Sequence, residues 1–436
     1  MTFFFTLVLF FLLFLGLGVY RSRRADTSSW LFADFAIPAW LTSVSSTATA
    51  VGGSALLLTG FMVSKHGWVG IVVDLPVGIG MFVLGLTMAK RVRQSGAATV
   101  AEYIGQHLGP RMRKYTAVFV LLTEIAWLAL LLQSFAIFFP ASENIDPRFF
   151  SIMALFIVVF YVGSGGQRSV YLTDVVQGTL ILVTLLALAS LLFFDPRPRQ
   201  VPTVVTLPWL DFSAYLIMMF VAGLSGPDLL GRVFYSRNGS AARRGLLWGG
   251  VAKIALSILI AAMAYEANRL GLVPVDSYKL FPQLLLLYFP QPLLALSQVA
   301  LLMVLLSSAD TVLMTAMTTL ENDLLRQRPK LMTMRLHIFI LSSAALLLGL
   351  YLRDLLPIMR FAYTFYAVGP ALFIIYAATG ISIPSRLALA IMLASGSAAA
   401  LSQLAGLAGL PLMLIGVMLN LSLIIIYLLW RKLGEK

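Results

Sequence analysis

The chain has 436 residues, of which 60% are hydrophobic and only 11% charged, with a formal net charge of +13. Soluble domains carry about 25% charged residues, so the composition excludes an ordinary soluble domain and points to lipid as the solvent for most of the chain. With no cysteine, disulfides, thiolate metal sites and cysteine nucleophiles are excluded, and three scattered histidines (His66, His107 and His337) do not form a metal site.

Apolar runs of spanning length, about 20 residues each, recur from end to end. They predict an all-α polytopic membrane protein with 13 transmembrane helices, at 3–20, 38–63, 68–89, 115–139, 149–165, 170–194, 212–234, 245–268, 290–321, 336–352, 355–379, 386–406 and 409–430, numbered as spans 0 to 12. Span 0 has no basic leading segment and no small-residue cleavage site, and Arg21, Arg23 and Arg24 follow its apolar run. This is the pattern of an uncleaved anchor with its N-terminus outside. With that start, the predicted cytoplasmic segments and the span ends beside them hold 22 of the 31 Lys and Arg residues, including the tail Arg431, Lys432 and Lys436. The asymmetry satisfies the positive-inside rule. It places the C-terminus in the cytoplasm of a cell membrane and accounts for the basic charge with no nucleic-acid partner. Two loops carry helices of their own: "TVAEYIGQHLGPRMRK" predicts an interfacial helix ending at Gly109-Pro110, and "KLFPQLLLLYFPQP" a short surface helix.

Two spans are interrupted. Span 1 reads "STATAVGGSALLLTG", with Gly52 and Gly53 at mid-membrane, and span 6 reads "FVAGLSGPDLLGR", with Gly223, Gly226 and Pro227. Backbone groups freed by a break cannot face lipid, where each unsatisfied group costs several kcal/mol. They require a cavity, an ion or a substrate. Breaks five spans apart fit a 5+5 inverted repeat, with the first repeat at 38–194, the second at 212–379, and spans 11 and 12 at 386–430 completing a single transporter domain.

Span 8 carries oxygen. In "VLLSSADTVLMTAMTTLEND", Ser307, Asp310 and Thr311 share one helical face and Ser308 flanks them. Hydroxyls and carbonyls can replace the hydration shell of a small cation without adding charge, and a buried carboxylate needs a proton, a cation or an arginine partner. Further ionisable groups within spans are Asp74, Glu124, Asp174, Asp228, Lys253 and Arg360. Asp228 stands four residues before Arg232, which predicts an intrahelical salt bridge, and Asp174, near the start of span 5, is expected in a wet cytoplasmic vestibule.

Four passages then resemble the sodium:solute symporter family. "SSADTVLMTAMTTLENDL" is similar to its helix-8 sodium motif, "GGQRSVYLTDVVQG" to its signature entering helix 5, "TVAEYIGQHLG" to its cytoplasmic-loop pattern, and "GPDLLGRVFYSRNGSAARRG" to the segment after the helix-6 break. The resemblance implies the inverted-repeat fold of the bacterial leucine transporter. It also implies a sodium site formed by the carbonyls of Ala48, Val51 and Val304 with the hydroxyls of Ser307 and Ser308. A second cation or proton site would involve Asp174, Asp310 and Thr311. Asp310 departs from the Ser common in two-sodium relatives, which leaves a proton-linked or single-sodium mechanism open. Asp74 falls where sugar-carrying relatives place a Glu, but Ser54-Ala55 replaces their acid-amide pair, against a sugar.

The expected function is sodium-coupled symport of a small organic solute by alternating access, with sodium as the transported ion and no organic cofactor. Candidate solute contacts are Ser54, Leu58, Asp74, Trp127, Gln133, Tyr363 and Tyr366. Asp74 and Glu124 with nearby aromatics would suit a cationic or amino-bearing solute. A monomer or weak oligomer in the bilayer is expected. The alternatives are a proton-coupled symporter, or a solute sensor on the same fold without net transport. An intramembrane hydrolase is disfavoured because Ser307 has no histidine base in reach of its motif, and a channel because no filter-like loop is present.

Overall fold

The computed structural model describes residues 2–22, 27–138, 146–326, 330–352, 354–381, 383–404 and 409–434. Within them the chain is almost wholly helical: α1 (Thr2–Ser22), α2 (Thr27–Phe32), α3 (Ala39–Ala50), α4 (Gly53–His66), α5 (Leu75–Thr87), α6 (Ala89–Gln94), α7 (Val100–Leu108), α8 (Pro110–Phe138), α9 (Pro147–Phe193) and α10 (Trp209–Ser225). There follow α11 (Pro227–Phe234), α12 (Gly239–Arg269), α13 (Leu280–Tyr288), α14 (Leu293–Thr319), α15 (Leu331–Leu352), α16 (Leu355–Val368), α17 (Pro370–Thr379), α18 (Ser385–Leu404) and α19 (Gly409–Gly434). Among the described residues, eight helical stretches are long and apolar enough to cross a membrane. The topology signals at Arg23, Arg24, Arg328 and Lys436 lie outside the described residues.

The breaks determine how these helices sit. At the first, α3 ends on Val51, Gly52 is extended (φ −25°, ψ 157°), and α4 starts at Gly53. At the second, Gly226 (φ −52°, ψ 135°) separates α10 from α11, which begins on Pro227, a residue suited to the first turn of a helix. The two broken regions are tied by backbone pairing just outside them: Ile37 N–H donates to Tyr235 O at 3.2 Å, and Arg237 N–H donates to Ile37 O at 2.9 Å. Predicted spans 4 and 5 are the two helical halves of α9, which meet at a sharp kink at Gly166, whose backbone (φ 67°, ψ 179°) is not helical.

The start of predicted span 2 differs from expectation. After α4 the chain reverses at Gly67, whose φ of +64° is accessible to glycine at little cost. Residues 67–73 then form a 3-10 stretch against α4 before α5 begins at Leu75. Asp74 therefore caps a helix start (φ −137°) instead of sitting within a continuous span.

Helix α14 is the centre of the molecule. About 94% of its spanning window is buried, against 28% for the neighbouring α15. A helix buried on all sides must satisfy its polar groups internally, so the Ser, Thr and Asp residues of span 8 are forced into contact with other helices. Its end is a π-helical turn, Leu320–Leu325, closed by Arg326 in the left-handed region.

Two of the sequence motifs meet at that end. Thr99 caps α7, its hydroxyl accepting from Glu102 N–H at 3.0 Å, while the Glu102 carboxylate accepts from Ala98 N–H at 2.9 Å. The Thr99 hydroxyl also donates to Asp323 Oδ2 at 2.7 Å, and Arg113 Nε donates to Asp323 Oδ1 at 2.8 Å. Asn322 Nδ2 donates to Glu102 at 3.2 Å. The loop motif and the end of α14 are thus one latch. Hydrogen bonds to a charged group contribute about 1.5–3 kcal/mol each, so Asp323→Ala is expected to lower the melting temperature of the detergent-solubilised protein, and Arg113→Ala by less. On a separate loop, hydrogen bonds from Arg197 and then from the Tyr288 hydroxyl hold the Asp195 carboxyl well below the usual carboxylate range.

Candidate functional site

The first site forms where α14 meets the break between α3 and α4. The Ser307 hydroxyl lies 3.0 Å from Val304 O and 3.4 Å from Ala48 O. The Ser308 hydroxyl donates to Thr49 O at 3.0 Å. A Cβ on Gly52 would fall 2.2 Å from Ser308 Oγ, so only glycine lets the break approach the serine this closely. Val51, buried to 2% exposure, caps α3 at the same place. The structure therefore brings Ala48, Val51, Val304, Ser307 and Ser308 to one junction. Its donor set is hydroxyl and carbonyl oxygen without a carboxylate, which suits a monovalent cation better than a divalent one. Among the described residues, no cluster of three His, Asp or Glu side chains is placed to hold a metal.

The second site lies about one turn further along α14, and an arginine occupies it. Arg232, fully buried on α11, donates from Nη2 to Asp174 Oδ2 at 3.1 Å and to Thr49 Oγ1 at 3.0 Å, and also to Thr311 Oγ1. Its guanidinium lies 4.4 Å from the Tyr171 ring centroid. The Ser45 hydroxyl donates to the same Asp174 oxygen. Two expectations are corrected here. Arg232 pairs with Asp174 and not with Asp228, because Asp228 sits in the first turn of α11, where its Oδ1 accepts from Leu229 N–H at 2.9 Å. Asp174 has no wet vestibule; it is 0% exposed.

The third site is a cavity between the broken helices and α5, α8 and α16. Its walls include Thr49, Leu58, Asp74, Trp127, Asp228 and Tyr363. Trp127 and Tyr363 form an aromatic wall with ring centroids 4.5 Å apart. Asp74 does not offer a free charge, since its Oδ1 lies 2.5 Å from Lys253 Nζ and both groups are buried. Asp228 and the buried Glu124, one turn before Trp127, instead act on each other electrostatically, and Glu124 Oε2 has no hydrogen-bond partner. The cavity holds only about 30 Å3, room for a water or two, so the described state is contracted around its centre. Tyr366 donates to Ser225 O at 2.6 Å, bracing the end of α10, and Gln133 packs on Gly349; neither lines the cavity. The Ser54 side chain lies outside the described residues.

Sequence reasoning missed Thr49 and the cavity-facing role of Asp228. Thr49 touches all three sites: its carbonyl meets Ser308, its hydroxyl meets Arg232 and Thr311, and it lines the cavity. Its place three residues before the Gly52 break was the available signal.

Residues 31–195 match the sodium:solute symporter family model, which bears out the resemblance seen in the motifs over that stretch. The chain is 27% identical over 191 residues to the high-affinity choline transporter 1 of Caenorhabditis elegans, covering 41% of this chain and 33% of that protein. It is 26% identical over 189 residues to the human high affinity choline transporter 1, with 41% and 33% covered. A sodium/proline symporter 2 of Staphylococcus saprophyticus is 21% identical over 193 residues, with 42% and 38% covered. The chain thus aligns with about a third of the length of the curated relatives it matches. Among solved structures, a Na+-coupled sialic acid symporter in a substrate-bound outward-open state has a TM-score of 0.80 at 17% identity, covering 97% of this chain and 96% of that one. A nucleobase-cation-symport-1 family transporter in a closed conformation has a TM-score of 0.61 at 13% identity, with 92% and 94% covered. At these identities the likeness shows a shared fold.

Proposed function

We propose that this protein, on a sodium symporter fold and with residues 31–195 matching the sodium:solute symporter family, is a secondary active transporter that couples inward movement of sodium to uptake of a small cationic or amino-bearing solute. The observation that carries the solute class is the pair Glu124 and Asp228 beside the Trp127–Tyr363 wall, with Asp74 already neutralised by Lys253. Two acids that form no salt bridge among the described residues, with Arg232 acting on Asp228 only at a distance, stand next to aromatic faces and favour a positively charged nitrogen, by charge and by cation–π attraction. Choline and proline, named for the curated relatives, both carry such a nitrogen.

Sodium would bind between the α3–α4 break and α14, taking the carbonyls of Ala48, Val51 and Val304 and the hydroxyls of Ser307 and Ser308. In the described state the two hydroxyls bond directly to α3 or to their own helix. An ion would replace those contacts and fix the spacing of α3 from α14. Thr49 links that spacing to the cavity, which gives ion and solute a shared state to stabilise; coupling is this difference in affinity between two states. One inward charge supplies ~2.3 kcal/mol per 100 mV. The reading includes 13 spans in a 5+5 inverted repeat, at 38–194 and 212–379, in a cell membrane with the N-terminus outside and the C-terminus cytoplasmic.

The test is uptake of labelled choline and proline, with further quaternary amines and amino acids, into proteoliposomes under an inward sodium gradient. At least one amine should accumulate with sodium and not with potassium. Asp228→Asn and Glu124→Gln should each reduce that uptake about tenfold or more, as expected for about 1.4 kcal/mol of lost charge attraction. Uptake indifferent to sodium would contradict the coupling, and solute binding without flux would identify a sensor instead.

A further inference from the structure

We propose that α3, α9 and α12 form a binding site for an anionic phospholipid. Its acyl chain lies in a groove over the broken end of α3, and its headgroup is held at Arg244. The site stands on geometry alone, while its effect on the ion rests on the transport reading above.

The groove has a volume of about 470 Å3, within the range of about 300–1,000 Å3 that small-molecule sites occupy. Helix α3 is its floor, through Val44, Ala48 and Val51. The second half of α9 forms one wall, through Leu182 and Leu186, and α12 the other, through Ala255 and Leu259. Both walls rest on α3 itself: a Cβ on Gly249 would fall 2.5 Å from Ser46 Oγ, and one on Gly178 3.6 Å from Ala48 Cβ. Two hydroxyls of the lining are engaged by backbone carbonyls. Thr47 Oγ1 donates to Ser43 O at 2.8 Å, and Thr179 Oγ1 to Val175 O at 2.7 Å. The surface left to an occupant is almost wholly hydrocarbon, which offers water too few partners to hold it.

The groove opens on the outer surface of helices long and apolar enough to span a membrane, beside the exposed Leu182, Leu186 and Ile258. Bilayer hydrocarbon is the apolar matter that reaches it. The faces that line it also continue to a polar end. On α12, helical spacing puts Arg244, Trp248, Ala252, Ala255 and Leu259 on one side. Arg244 and Trp248 are exposed, and the groove wall follows them. On α3 the face of Val44, Thr47 and Val51 begins at the exposed Trp40. Tryptophans gather where a bilayer meets water, and Arg244 stands about 12 Å of helix from Ala252. Arginine, tryptophan belt and apolar groove thus follow the order of headgroup, interface and acyl chain. Among the described residues, Arg244 bonds only the Ser240 carbonyl of its own helix, at 3.4 Å, which leaves its charge to a phosphate. Arg168, on the neighbouring α9, is instead paired with Asp34 at 3.5 Å. A free positive charge at the mouth selects an anionic headgroup over a zwitterionic one. The floor residues Ala48 and Val51 carry two of the carbonyls proposed for sodium. A chain packed on their side chains supports α3 at the spacing the ion needs, so lipid and sodium raise each other's affinity.

The test is native mass spectrometry of the purified full-length protein offered equal amounts of phosphatidylglycerol and phosphatidylcholine. Sodium titrations accompany it, in nanodiscs of phosphatidylcholine with and without phosphatidylglycerol. The wild type should retain one phosphatidylglycerol that Ala255→Phe, whose ring fills the groove, does not. Thr179→Phe fills it from the α9 wall and should show the same loss, which decides the question should Ala255→Phe fail to fold. Arg244→Gln should keep a bound lipid but lose the preference for phosphatidylglycerol. Glycerol phosphate, an anionic head without a chain, should not compete. Phosphatidylglycerol should shift the wild-type sodium curve to lower concentration and leave that of Ala255→Phe in place. Equal retention of the two lipids by the wild type, an unchanged count in both filled variants, or displacement by glycerol phosphate would overturn the site. A wild-type sodium curve indifferent to the lipid would overturn its coupling to α3. If the protein binds no sodium at all, the transport reading fails while the lipid count still decides the site.

Discussion

Arg232→Ala is expected to destabilise the protein more than any other single substitution in the ion and solute sites. It removes the one cation facing Asp174 in a cluster with no solvent exposure and strips the Tyr171 ring of its stacked partner. Breaking a buried pair by deleting one member costs about 3–5 kcal/mol, chiefly because the other charge is left stranded. Total stabilities are about 5–15 kcal/mol, so the loss is large enough to lower both yield and melting temperature. Arg232→Lys keeps the charge but not the planar fork or the stacking surface, and should recover only part of the loss. Adding Asp174→Asn to Arg232→Ala should recover much of it, since the stranded charge is gone. Melting curves of the four proteins in detergent check this; a double variant no more stable than Arg232→Ala would show that the pair is not what holds the cluster.

The second large effect is on the ion. Ser307→Ala with Ser308→Ala removes two of the five oxygens proposed for sodium while leaving every buried charge in place. The half-saturating sodium concentration is expected to rise about 100-fold, equivalent to about 2.7 kcal/mol. The fold should survive, because the two hydroxyls bond only backbone carbonyls of α3 and α14 and no buried charge loses a partner. Ser342→Ala, which removes a buried hydroxyl of α15 that has no partner, is the control and should leave sodium affinity unchanged. Sodium titrations by thermal shift on the purified variants read both outcomes.

Local chemistry made some of the site legible. Glycines and a proline inside apolar runs marked the breaks at Gly52 and Gly226, and helical spacing put Ser307 and Thr311 on one face before any contact was known. The end of the loop helix at Gly109-Pro110 was equally visible. What the sequence concealed were pairings between distant segments. Arg232 reaches Asp174 across 58 positions, and Lys253 reaches Asp74 across 179. Spacing along one helix suggests only the nearer partner, which is why Asp228 was paired with Arg232 and Asp74 was counted as a free charge. Apolar periodicity also cannot tell a 3-10 stretch or a π turn from an α-helix, so residues 68–73 and 320–321 read as ordinary span. The reversal at Gly67, which depends on its backbone angle, was equally hidden.

The most direct test of the account is saturation binding of radioactive sodium to the purified full-length protein, compared with the Ser307→Ala/Ser308→Ala variant at matched folded concentration. The account predicts saturable binding of one ion per chain in the wild type, with the variant's curve displaced about 100-fold to higher sodium. A wild type that binds no sodium, or a double variant whose curve overlies it, would contradict the claim that the junction of the broken helix with α14 is where the driving ion sits.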